Sequence, residues 1–244
     1  MKGSNDKIKV RMIGGGGDDL FENQNKSATS GYVYDRKDGN NKIVGNFRNK
    51  MSNDSTVNSF KRIYYQYNKF GPSLSIGYNP DDGLSLGLGF KVIRHGFRKE
   101  PYKSSHSFAA NHSLSTSAFR FRYNNEFIGV FGEKTDITTD IDVRSPNNIT
   151  NFFGYGVNSV YDKSKPGGFR YYRARYDLAD LSLLLRQRFS DKVQLSIGPS
   201  FQYYEMDSDD KLILARFISQ TGLNGLNPAT LNTKQKYFGV LASL

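Results

Sequence analysis

The sequence predicts an all-β fold, an antiparallel transmembrane β-barrel behind a short β-rich N-terminal segment. Three observations predict it. First, several segments alternate between apolar residues and small or polar ones, the two-residue period of a strand. Residues 84–92 are the clearest: Leu84, Leu86, Leu88, Phe90 and Val92 against Ser85, Gly87, Gly89 and Lys91. Second, the 244 residues include 16 Tyr, 18 Phe and 24 Gly, a mix that suits twisted strands and turns. Third, aromatic residues gather near the ends of the alternating segments, at Phe70, Tyr78, Phe97, Tyr102, Tyr123, Phe127, Phe152, Phe153, Tyr203 and Tyr204. Aromatic girdles of that kind flank the lipid-facing band of a membrane barrel.

In chain order, residues 7–13 (KIKVRMI) predict a short strand, stopped by four glycines at 14–17. Residues 31–36 and 41–47 predict two more. The polar run 48–60 reads as connecting chain, so residues 1–50 are expected to form a β-rich lead-in, 51–60 a linker and 61–244 the barrel segment. Pro72, Leu74, Ile76 and Tyr78 alternate with Ser73, Ser75, Gly77 and Asn79 before a tight turn at 80–83. After it come the strand at 84–92, weaker patterns at 105–115 and 117–127, and Ile137, Thr139, Ile141 and Val143 set against Thr138, Asp140, Asp142 and Arg144. Residues 169–178, 192–205 and 235–244 complete about eight strands, each near the length needed to cross a bilayer. Parity changes at 115–118, which predicts a bulge or a hairpin turn, and again between Tyr176 and Leu181. Connections are expected to be short at 80–83 and 190–192, and long at 145–168 and 207–233. The only helix-period stretch is 211–219 (KLILARFIS).

A soluble sandwich also alternates, with its apolar face turned inward. Here the polar face carries Gly77, Gly87, Gly89 and Gly198, small residues useful where strands curve around a lumen. The expectation is therefore that Leu84, Leu86, Leu88 and Phe90 face lipid. A secreted soluble β-sandwich binding module is the alternative.

Cysteine is absent and the net charge is +11, with the 34 basic residues spread along the chain. No disulfide framework or thiolate metal site is predicted, and no nucleic-acid partner. No apolar run approaches the roughly 20 residues of a spanning helix, and the N-terminus has no apolar core of a signal peptide.

Three segments carry a resemblance: residues 77–127 (GYNPDDGLSLGLGFKVIRHGFRKEPYKSSHSFAANHSLSTSAFRFRYNNEF), 145–162 (SPNNITNFFGYGVNSVYD) and 170–205 (RYYRARYDLADLSLLLRQRFSDKVQLSIGPSFQYYE). They resemble the BamA/TamA-like bacterial surface-antigen family of outer-membrane barrels, most closely the barrel that follows a calcineurin-like metallophosphoesterase domain. Phe152, Phe153, Gly154 and Gly156 look like that family's recurrent loop. The resemblance covers roughly residues 60–244. It implies a cell outer-membrane location, a sixteen-stranded barrel of which this chain would be a fragment, and lipid and lipopolysaccharide as surroundings, with other outer-membrane proteins as partners. It implies a function in membrane-protein insertion or polypeptide transport, or as the anchor of a periplasmic enzyme domain.

No catalytic residue, cofactor or metal is expected. The three histidines, His95, His106 and His112, stand in none of the strings of a two-metal phosphoesterase. On a strand, His112 points away from Asn111 and Ser113, so "ANHSL" cannot form a local relay. A hydrolase would need Ser, His and an acid brought together from different strands. "GGGGDDLF" (14–21) matches one calcium-repeat unit, with Asp18 and Asp19 as its carboxylates. Each ion in such arrays is held between successive turns, and no second copy is present, so a plain turn is preferred. "DSDDK" (207–211) reads as a solvated loop.

Overall fold

The computed structural model describes residues 9–24, 31–61, 66–154, 159–190, 192–207 and 234–244. It is all-β, and divides into two compact units, residues 1–64 and 65–244. The segment 211–219 lies outside the described residues, as do Gly156 and all of 207–211 but Asp207, which ends a strand.

The first unit holds β1 (Val10–Ile13), β2 (Leu20–Glu22), β3 (Gly31–Tyr34), β4 (Lys42–Val44) and β5 (Arg48–Asn49). β3 lies between β1 and β5, and β2 lies beside β4, all in parallel. Alternate strands therefore stack as successive turns of a coil, the first two turns giving one strand to each small sheet and the third giving β5. Val33, Phe21 and Val57 are buried. Residues 51–60, expected as a linker, belong to this unit: Ser52 bridges Arg36, residues 54–59 form a hydrogen-bonded turn, and Val57 plugs the interior. Their polarity reflects the outer surface of a small coil, which exposes most of its chain to water.

The second unit is one antiparallel sheet of eight strands in chain order: β6 (Lys69–Asn79), β7 (Gly83–Gly96), β8 (Lys99–Ser113), β9 (Ala118–Phe127), β10 (Thr135–Asn151), β11 (Arg173–Arg188), β12 (Gln194–Asp207) and β13 (Gln235–Ser243). Among the described residues the sheet is open, with β6 and β13 as its edges. Tight connections at 80–82 and 114–117 share one end with the two long ones, 152–172 and 208–234. The other end carries only 97–98, 128–134 and 189–193.

The parity change at 115–118 is a hairpin turn, with Ser117 at φ 55°. Two expectations change. β10 does not stop at Arg144: the register slips between Arg144 and Asn148, with Asn147 at φ 64°, and pairing resumes to Asn151. The long connection therefore starts at 152. Between Tyr176 and Leu181 the β11–β12 register is unbroken. The string changes parity only because Tyr176 and Leu178 stand on the polar face, where Tyr176 stacks on Tyr204 at 5.9 Å and receives a hydrogen bond from Arg144.

Gly198 has no room for a side chain. A Cβ there would meet the Leu183 carbonyl oxygen at 2.0 Å and Leu184 Cα at 2.9 Å. Both are backbone atoms of β11, so neither can rotate away. Gly198→Ala is expected to cost about 1–3 kcal/mol of stability through overpacking, read as a lowered denaturant midpoint. Gly71→Ala, at a position with open space, serves as the control.

Candidate functional site

Directly opposed residues of an antiparallel sheet share a face, so the register sorts the side chains into rows. One row crosses all eight strands: Pro72, Phe90, Phe108, Tyr123, Ile141, Leu181, Phe201, Phe238. Every member is apolar or aromatic. The rings touch: Phe90–Phe108 at 4.6 Å, Phe108–Tyr123 at 4.5 Å and Phe201–Phe238 at 4.8 Å between centroids. One residue along, the row on the opposite face reads Ser73, Gly89, Ala109, Arg122, Asp142, Asp180, Gln202, Tyr237. The sheet thus has one oily and one polar side over its full width.

Among the described residues no second layer covers the oily side. Leu74 is 81% exposed, Leu88 69% and Phe238 81%. Leu84, Leu86 and Phe90 are exposed as well. The buried apolar residues of this unit, Ala118, Ile128, Tyr171, Tyr172 and Ala174, lie at strand ends and connections. Among the described residues no helix is long and apolar enough to cross a membrane.

The polar side carries two charge clusters. Arg120 grips Asp142 with two parallel bonds, Nε to Oδ1 at 2.9 Å and Nη2 to Oδ2 at 2.6 Å, the strong bidentate geometry. Arg144 shares Oδ2 at 2.9 Å. These arginines and Arg122 line a recess of about 440 Å³ together with Asn111 and Tyr176. The second cluster centres on Asp136, which is 0% exposed. Its Oδ2 accepts Arg186 Nε at 3.0 Å and Nη2 at 2.8 Å, and its Oδ1 accepts the Gly129 N–H at 2.9 Å and Arg188 at 3.2 Å. Arg186 also bonds Glu126, which accepts the Tyr102 hydroxyl.

The oily side carries a hydrogen-bonded polar group around His106. His106 Nδ1 lies 3.0 Å from the Tyr123 hydroxyl and 3.1 Å from Asn125 Nδ2, and its Nε2 lies 3.3 Å from Ser104 Oγ. Phe127 packs edge-on against the imidazole at 5.4 Å. Sequence reading missed this group, because its members come together only through the pairing of His106 with Asn125.

His112 stacks on Phe119 at 4.2 Å on the oily side, while Asn111 bonds Ser75 on the polar side. "ANHSL" is thus split between faces. Among the described residues no acid is hydrogen-bonded to His95, His106 or His112, and no group of three or more His, Cys, Asp or Glu converges. Phe152 and Phe153 open the long connection, where Phe153 tilts over Tyr172 at 5.0 Å and meets Phe169 and Tyr161 edge-on. In the same connection the Ser164 hydroxyl and backbone N–H donate to Asp162 Oδ1 at 2.7 and 2.9 Å, holding that carboxyl below its ordinary value.

Comparison with protein-family models, with curated proteins and with solved structures finds no match. The family resemblance therefore rests on the three quoted segments.

Proposed function

We propose that residues 65–244 form part of the wall of an outer-membrane β-barrel of the surface-antigen type. The oily side meets hydrocarbon and the polar side lines an aqueous lumen. Such a wall serves protein insertion or polypeptide transport at the outer membrane, or anchors a periplasmic domain. The observation that carries the proposal is the row of apolar and aromatic residues from Pro72 to Phe238, each exposed or half-buried and, among the described residues, without a covering layer. In water an apolar surface of that extent would drive association, whereas in a bilayer it is the solvated side. The strands, nine to seventeen residues long, reach the roughly 9–11 residues a tilted membrane strand needs. The polar group around His106 and Tyr123 supplies hydrogen-bonding side chains for the headgroup level. Hydrocarbon tolerates no unpaired backbone, so the outer edges of β6 and β13 must pair, with each other or with further strands.

The test is refolding. Diluted from urea into vesicles of short-chain phosphatidylcholine, the chain is expected to gain strand circular dichroism, resist added protease and migrate differently on gels when left unboiled. In buffer alone it is expected to aggregate. A monodisperse, strand-rich chain in buffer without detergent would overturn the proposal in favour of a soluble β-sandwich.

A further inference from the structure

We infer that the first unit binds a calcium ion between its first two turns, with Asp19 and Asp35 as the charged ligands. The parallel pairing stacks the turn after β3, residues 35–41, directly on the glycine-rich turn after β1, residues 14–19. Four bonds clamp them: Gly14 N–H to the Tyr34 carbonyl at 2.9 Å, Asp19 N–H to Asn41 Oδ1 at 2.8 Å, Lys42 N–H to the Asp19 carbonyl at 2.9 Å and Asn40 N–H to Asp18 Oδ1 at 3.2 Å. The sequence offers only one copy of the calcium-repeat string. The coil supplies the missing neighbour from a different string, Asp-Arg-Lys-Asp-Gly-Asn-Asn at 35–41.

Asp35 carries the inference. It is 0% exposed. Its Oδ1 accepts the Arg36 N–H at 2.7 Å, and its Oδ2 is buried without a hydrogen-bond partner. Among the described residues no cationic side chain forms an ion pair with it, since Arg36 turns outward to Asp38. A Cβ built on Gly14 would lie 2.3 Å from Asp35 Oδ2 and 2.8 Å from Asp19 Oδ2. The glycine is thus the gap across which two carboxylates face each other. Those distances hold the two oxygens within about 5 Å, the span of two calcium–oxygen bonds of roughly 2.3–2.6 Å. A buried carboxylate left unpaired is costly, and a second one close by raises the cost. A hard divalent cation offsets both.

Calcium fits better than its competitors. The surroundings offer oxygen and neither imidazole nor thiolate, which disfavours zinc. Two carboxylates leave most of calcium's six to eight positions to backbone carbonyls and water. The glycines at 14–17 put no side chain of their own over those carbonyls, of which the Gly15 oxygen already accepts Asn58 Nδ2 at 2.6 Å. Magnesium's strict octahedron suits such turns less well.

The experiment is isothermal titration of the full chain, folded in detergent micelles, with calcium chloride, repeated with excess magnesium chloride. One calcium per chain is expected, retained against magnesium, with slower proteolysis of residues 1–64. Asp35→Asn keeps an acceptor for the Arg36 N–H and relieves the repulsion, so it folds, and it is expected to bind at least tenfold more weakly. Asp19→Asn should match it. Asp18→Asn, at an exposed carboxylate that holds Asn40, should bind as the parent does. Absence of calcium binding by the parent chain, or unchanged binding by Asp35→Asn, would overturn the inference.

Discussion

Leu88→Arg is expected to lower the stability of the bilayer-inserted chain by about 2–4 kcal/mol, the cost of an arginine on the lipid face of a barrel near the midplane. Leu88 is opposed to Leu74 on one side and Ala110 on the other, next to Phe90 on the oily side. The same substitution on a sheet exposed to water would change stability by less than about 0.5 kcal/mol. The two environments therefore differ by several-fold in one measurement, a urea titration of vesicle-bound chain followed by circular dichroism. Ser73→Arg, one residue along from Leu74 on the polar side, is the matched control and should be nearly silent. If both variants are silent, hydrocarbon does not surround Leu88.

The second large effect is expected at Asp136. Asp136→Ala removes a carboxylate shielded completely from solvent, leaving two arginines and the Gly129 N–H without their shared acceptor. Breaking a buried pair from one side leaves an uncompensated charge and costs roughly 3–5 kcal/mol. Glu126 remains beside Arg186 and compensates in part, which places the expected loss near the lower bound. The readout is the denaturation midpoint of the chain in micelles. Adding Arg186→Leu should recover part of the loss, because the second change removes the stranded charge. Two additive losses would show that Asp136 acts through Arg188 and Gly129 and not through Arg186.

Much of the sheet is legible in the sequence because a period of two survives wherever one face is greasy. Leu84 to Val92 could be assigned from parity alone, and about eight strands were countable in the same way. What parity cannot supply is register. Arg120 and Asp142 both read as polar-face residues, but nothing in the string says that they meet. The same is true of His106 and Asn125. Parity also misled where the polar side holds bulky residues, as at Tyr176 and Leu178. The first unit was legible only as β-rich. Its strands are two to four residues long, too short for a period to register. Its turns stack through parallel pairing between dissimilar strings, so the partner of the glycine-rich turn could not be found by searching for a second copy.

The rows that cross the sheet limit how this chain can change in length. Within a strand, deleting a single residue turns every later side chain of that strand over, sending leucine inward and aspartate outward until the next connection. Substitutions keep the sidedness intact and indels do not. Length variation between related chains should therefore collect at 80–82, 97–98, 114–117, 128–134, 152–172, 189–193 and 208–234, leaving the strands constant in residue count.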